Sequence, residues 1–80
     1  MKHLSLESLI SLLLIIKADM EAAKQILDEM KGSSSTDFRL ALHMREEVYK
    51  ERRMLLDKIF EKGGYEKYEY ASKVLCPFFI

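Results

Sequence analysis

Arg45 and Arg52 stand seven residues apart in a stretch that also carries Leu42, Met44, Val48, Leu55 and Leu56. Residues seven apart share one face of a helix, so both guanidiniums project together from an apolar surface. A buried guanidinium needs a partner, because an uncompensated charge in such surroundings costs several kcal/mol. An ion pair is one solution: Asp19 or Glu21 across the hairpin, or an acid of a second subunit, would serve, Asp19 standing at a suitable height, and a buried Arg–acid pair fixes register between helices. The other is a ligand, a phosphate or carboxylate clamped between helices by the two guanidiniums, which would make the chain a small dimeric bundle enzyme or an anion-binding protein. The available acid favours the internal pair.

The remaining reactive side chains form no convergent set. His43 and Glu46 are three apart, the reverse of the Glu-x-x-His order of di-iron bundles, and both fall on the polar face. His3 is remote from them, and both histidines read as solvated, with no metal and no cofactor implied. Cys76 lacks a nearby His or a second Cys and sits in the apolar run Val74 to Ile80, so it reads as bulk rather than as a nucleophile. Ser33, Ser34 and Ser35 lack the glycine and lysine framework of a phosphate loop. The expectation is therefore a protein that is not an enzyme.

Charge narrows the partners. The 80 residues carry 13 basic and 13 acidic side chains, and the balance holds within each third of the chain. Arg45, Lys50, Arg52 and Arg53 are the densest basic group, yet Glu46, Glu47, Glu51 and Asp57 interleave with them and would repel phosphates. A nucleic-acid-binding regulator is thus the less favoured alternative. The apolar stretch from Leu4 to Ile16 is shorter than the roughly 20 residues a bilayer span needs, so no membrane partner is favoured. A single cysteine fits a reducing compartment, the cytoplasm.

Two elements must position these side chains. Between Ser5 and Lys31, Leu6, Leu9, Leu13, Ile16, Met20, Ala23, Leu27 and Met30 alternate steps of three and four, the seam of a coiled-coil-like helix. Gly32 is suited to close it in a left-handed turn, and Ser34 with Asp37, or Thr36, is suited to cap a second helix. In that helix Ala41, Met44, Val48, Leu55 and Ile59 make one stripe, with Phe38, Leu42, Tyr49, Leu56 and Phe60 beside it. The short Gly-Ser loop makes the helices, about 5–31 and 36–62, antiparallel neighbours. The register pairs Leu27 with Ala41, Met20 with Val48, Leu13 with Leu55 and Leu9 with Ile59, and brings Asp19 within reach of Arg52.

The fold class expected is all-α: a helical hairpin over residues 1–62, then a short C-terminal element over 63–80 that packs on the hairpin or on a partner. Gly63-Gly64 separates the two. Tyr65, Tyr68, Ser72 and Leu75 favour a short helix ending before Pro77 over a solitary strand. The hairpin contact uses one stripe per helix, which leaves Ile10, Leu12, Leu14, Ile15 and Ile26 of the first helix and Phe38, Leu42, Tyr49, Leu56 and Phe60 of the second over. Tyr65, Tyr68, Phe78 and Phe79 add to this surplus, which asks for a cover. A homodimer closing a four-helix bundle is the favoured cover. The function expected is a small protein–protein interaction module, a regulator, inhibitor or adaptor that docks an unidentified protein partner by a helix face.

Overall fold

A computed structural model describes residues 4–30 and 36–78. Helix α1 spans Leu6–Glu29 and helix α2 spans Thr36–Tyr70, followed by one π-helical turn, Ala71–Leu75. The molecule is all helical, a hairpin with its C-terminal end folded back, about 42 Å in its longest dimension.

Helix α1 starts where its chemistry says it should. The Ser5 hydroxyl accepts the Ser8 N–H at 3.1 Å and Glu7 lies in the first turn against the helix dipole. The helix closes as the Met30 N–H bonds Ile26 O at 3.0 Å. The seam faces inward: Leu9, Leu13, Ile16 and Met20 are buried, and Leu6, Ala23, Leu27 and Met30 are half-buried. From α2, Ala41, Leu55, Leu56 and Ile59 are buried. Gly32, Ser34 and Lys31, expected to close and reopen the helices, lie outside the described residues, as do His3 and Phe79.

The second helix runs on past the expected boundary at 62. It bends at Gly64, whose φ of 78° and ψ of −174° break the helical path, and continues to Tyr70. A side chain is strained at that φ, so glycine is needed there. Gly63 serves another purpose: a Cβ placed on it would come within 2.7 Å of Lys67 Cβ and 3.3 Å of Leu6 Cδ2. The glycine pair therefore kinks a continuous helix where the sequence suggested a break between two. Past the kink, Ala71 and Cys76 join Leu9, Leu13, Ile16, Met20, Leu55, Leu56 and Ile59 in one core. The C-terminal element thus completes the hydrophobic core of its own chain.

Candidate functional site

Arg52 does not pair with Asp19. Its Nε donates to Cys76 O at 2.9 Å and its Nη2 donates to Ser72 O at 3.1 Å. The carbonyls at the end of a helix lack intrahelical partners, and here a side chain from α2 ahead of the Gly64 kink satisfies two of them. The Cys76 N–H bonds Ala71 O at 2.9 Å, five residues back, which makes the last turn a π turn. Cys76, at φ −144° and ψ 71°, leaves the helix just before Pro77. The guanidinium also lies 5.6 Å from the centroid of the Phe78 ring.

The neighbouring side chains close this flank. The Phe78 ring packs on Tyr49 at 4.5 Å between centroids, and the Arg45 guanidinium lies over the Tyr49 ring at 5.2 Å from its centroid. Cys76 Sγ stands 3.6 Å from Met20 Sδ on α1. Burial pushes the Cys76 thiol above its ordinary pKa, partly offset by the Arg52 charge beside it. Leu56 is 3% exposed within the shared core. Phe60 meets Tyr68 edge-on at 5.8 Å, and Tyr65 lies 6.4 Å from Tyr68. Tyr49, Leu56, Phe60 and Tyr68, read from the sequence as surplus surface, are thus engaged within the chain to differing degrees.

The two arginines do not converge on an anion site. Arg52 is spent on two backbone carbonyls, while Arg45 borders a shallow depression with Leu42, Glu46, Tyr49 and Phe78. Asp19 is exposed on the opposite flank, and among the described residues no ion pair joins it to either guanidinium. His43 approaches Glu47 at 3.9 Å rather than Glu46, and Lys50 also meets Glu47, at 3.6 Å. Among the described residues no three His, Cys, Asp or Glu side chains gather as a metal site. No helix among them is long and apolar enough to cross a membrane.

The other flank of the hairpin is open. A groove of about 670 Å³ runs between α1 and α2, with Leu12, Ile15 and Ile16 on one wall and Met54 and Leu55 on the other. Asp19, Glu47, Lys50 and Glu51 border it. The lining fits the register read from the seam, since the same groove takes Leu12, Ile16 and Asp19 from α1 and Leu55, Glu51 and Lys50 from α2. Met44, assigned to the inner seam by its spacing, is 56% exposed. It belongs instead to a stripe that the seam reading passed over.

That stripe has its own regular spacing. Leu40, Met44, Glu47, Glu51 and Met54 follow steps of four and three along α2, and Leu12, Ile15, Asp19, Ala22 and Ile26 follow steps of three and four along α1. Each is a second seam, apolar towards its ends and polar in the middle. Ile15, Leu40, Met44 and Met54 are 56 to 58% exposed, and Ile26 is 44% exposed. Of the residues expected at an interface, Leu14, Phe60, Tyr65 and Phe78 remain exposed, Ile10, Phe38, Leu42, Tyr49 and Tyr68 are half-buried, and Leu56 is in the core.

The fold and this groove define a class: a kinked helical hairpin, sealed on one flank by its own C-terminal turn and apolar on the other. Compared with known proteins, the chain matches no family model, no curated protein and no solved structure.

Proposed function

We propose that the chain is a protein-interaction module, a small regulator, inhibitor or adaptor that works by docking a helix face rather than by catalysis. The observation that supports this is the open flank, where Ile15, Leu40, Met44 and Met54 stay 56 to 58% exposed beside a groove of about 670 Å³. Full burial of a large aliphatic side chain is worth about 1.5–3 kcal/mol, so covering these half-exposed groups recovers several kcal/mol. The borders carry Asp19 and Glu51, acids that would orient a partner rather than hold it by area. The reading places the chain in a reducing compartment, the cytoplasm, where Cys76 persists as a thiol.

A photo-crosslinking residue introduced at Met54, or at the exposed Glu61 as a control, tests this in cells that express the chain. Protein adducts at position 54 and not at 61 are expected. Equal labelling at both positions, or none at 54, would overturn the docking role of the flank.

A further inference from the structure

We infer that the occupant of the open flank is a second copy of this chain, seated about a two-fold axis that crosses the helices at right angles near Met20 and Glu47. This rests on the reading of that flank as a docking face, and it adds the partner and the geometry. Two apolar pairs, Ile15 with Ile26 on α1 and Leu40 with Met54 on α2, are placed symmetrically, while Met44 falls opposite Lys50 and Leu12 opposite Glu29. Ile15 and Ile26 are eleven residues apart, three helical turns, and Leu40 and Met54 are fourteen apart, four turns. The midpoint of the first pair falls between Met20 and Glu21, and that of the second falls on Glu47. In the register read from the seam, which pairs Met20 with Val48, these two midpoints stand at about the same height, and Ile16, Asp19, Glu47, Lys50 and Glu51 line one groove between the helices.

A surface whose two stripes share one centre meets the condition for an isologous contact, in which residue i touches j and j touches i. Turned about that centre, Ile15 of one copy lies on Ile26 of the other, and Leu40 lies on Met54. The polar middle is compatible with this seating. Asp19 comes to rest over the small Ala22, with room to remain hydrated, and Glu51 comes opposite His43. Glu47 meets its own counterpart on the axis, but His43 and Lys50 of the same chain already stand 3.9 and 3.6 Å from its carboxylate.

A two-fold axis parallel to the helices is a poorer fit. It would lay Asp19 of each copy over the Glu47, Lys50 and Glu51 band of the other, three acids against one lysine at each of two sites. The available area is sufficient for the favoured arrangement. About that centre residues 12–29 of α1 and 36–58 of α2 overlap their mates, about 27 and 34 Å, and at about one helix width each they offer roughly 500–600 Å² per copy, about the 1,000 Å² in total that a specific interface needs.

Sedimentation equilibrium of the full chain, from micromolar to submillimolar concentration, measures the association. A dimer is expected, and Met54→Lys or Leu40→Lys should weaken it at least about tenfold, equivalent to about 1.4 kcal/mol. Circular dichroism should be unchanged in both, because both side chains are exposed in the single chain. Tyr70→Lys, at an exposed apolar residue off the flank, should leave the dimer intact. Disulfide trapping then reads the axis in a Cys76→Ser background: Ile15→Cys chains mixed with Ile26→Cys chains should cross-link, and Ile15→Cys with Met54→Cys should not.

A monomer at every concentration overturns the inference. So does a dimer broken by Tyr70→Lys alone, or trapping at 15–54 in place of 15–26. A monomer that still gives adducts to another protein from position 54 would refute the self-association while leaving the docking role standing.

Discussion

Replacing Arg52 with Met keeps the aliphatic stem and removes the guanidinium, and with it the two hydrogen bonds to Ser72 O and Cys76 O and the contact over the Phe78 ring. Hydrogen bonds to a charged group contribute about 1.5–3 kcal/mol each when well shielded. This guanidinium is only half-buried, so the pair together is worth about 3 kcal/mol rather than twice that. The loss falls on the C-terminal turn, because that is where the two carbonyls lose their donor. Local opening there exposes Cys76, which is fully buried when the turn is seated. The rate of modification by a thiol reagent under native conditions therefore reports the opening. A cost of about 3 kcal/mol raises that rate on the order of a hundredfold. Arg52→Lys should fall between, since an ammonium keeps the charge but cannot present the planar fork to both carbonyls. Arg45→Ala serves as a control and should change the rate little, its guanidinium lying over an aromatic ring away from the carbonyls. A Cys76 rate in Arg52→Met equal to that of the parent would refute the assignment of Arg52 as the clasp of the C-terminal turn.

Two further outcomes follow from the same geometry. The Cys76 pKa is raised on folding by burial, so above the ordinary thiol pKa the folded state holds a proton that the unfolded state has released. Stability should accordingly fall as pH rises above about 9, and denaturant titrations of Cys76→Ala should show a shallower fall than the parent over that window. Gly64→Ala should lower stability by about 1–3 kcal/mol, because alanine at a φ of 78° and a ψ of −174° is strained although nothing lies within 4 Å of the new methyl. Thermal melts measure it, and an unchanged midpoint would argue that the kink relaxes without cost.

Helix existence, the antiparallel pairing and the inner seam of α1 were legible from spacing alone. Leu9, Leu13, Ile16 and Met20 recur at three and four, and a helix with that period can bury only one side. The stripe of α2 was less decisive, because its apolar residues spread over more than one face. Spacing alone placed Met44 inside with Val48 and Leu55, yet the structure leaves it 56% exposed. The second seam was also written in the chain, as Leu40, Met44, Glu47, Glu51 and Met54, but its acids disguised it. Periodicity read only through apolar residues passes over a stripe with a polar centre.

Two helices and an excess of apolar surface follow from local periodicity and from the positions of Gly and Pro. Which part of that excess the chain covers itself depends on how the C-terminal end folds back. A glycine at φ 78° lets α2 bend, and the bent end brings two helix-terminal carbonyls to Arg52. Neither the direction of that bend nor the choice of a carbonyl over Asp19 is encoded in spacing. Both depend on distances between residues 20 and more positions apart, which exist only once the core around Met20, Leu56 and Cys76 has closed.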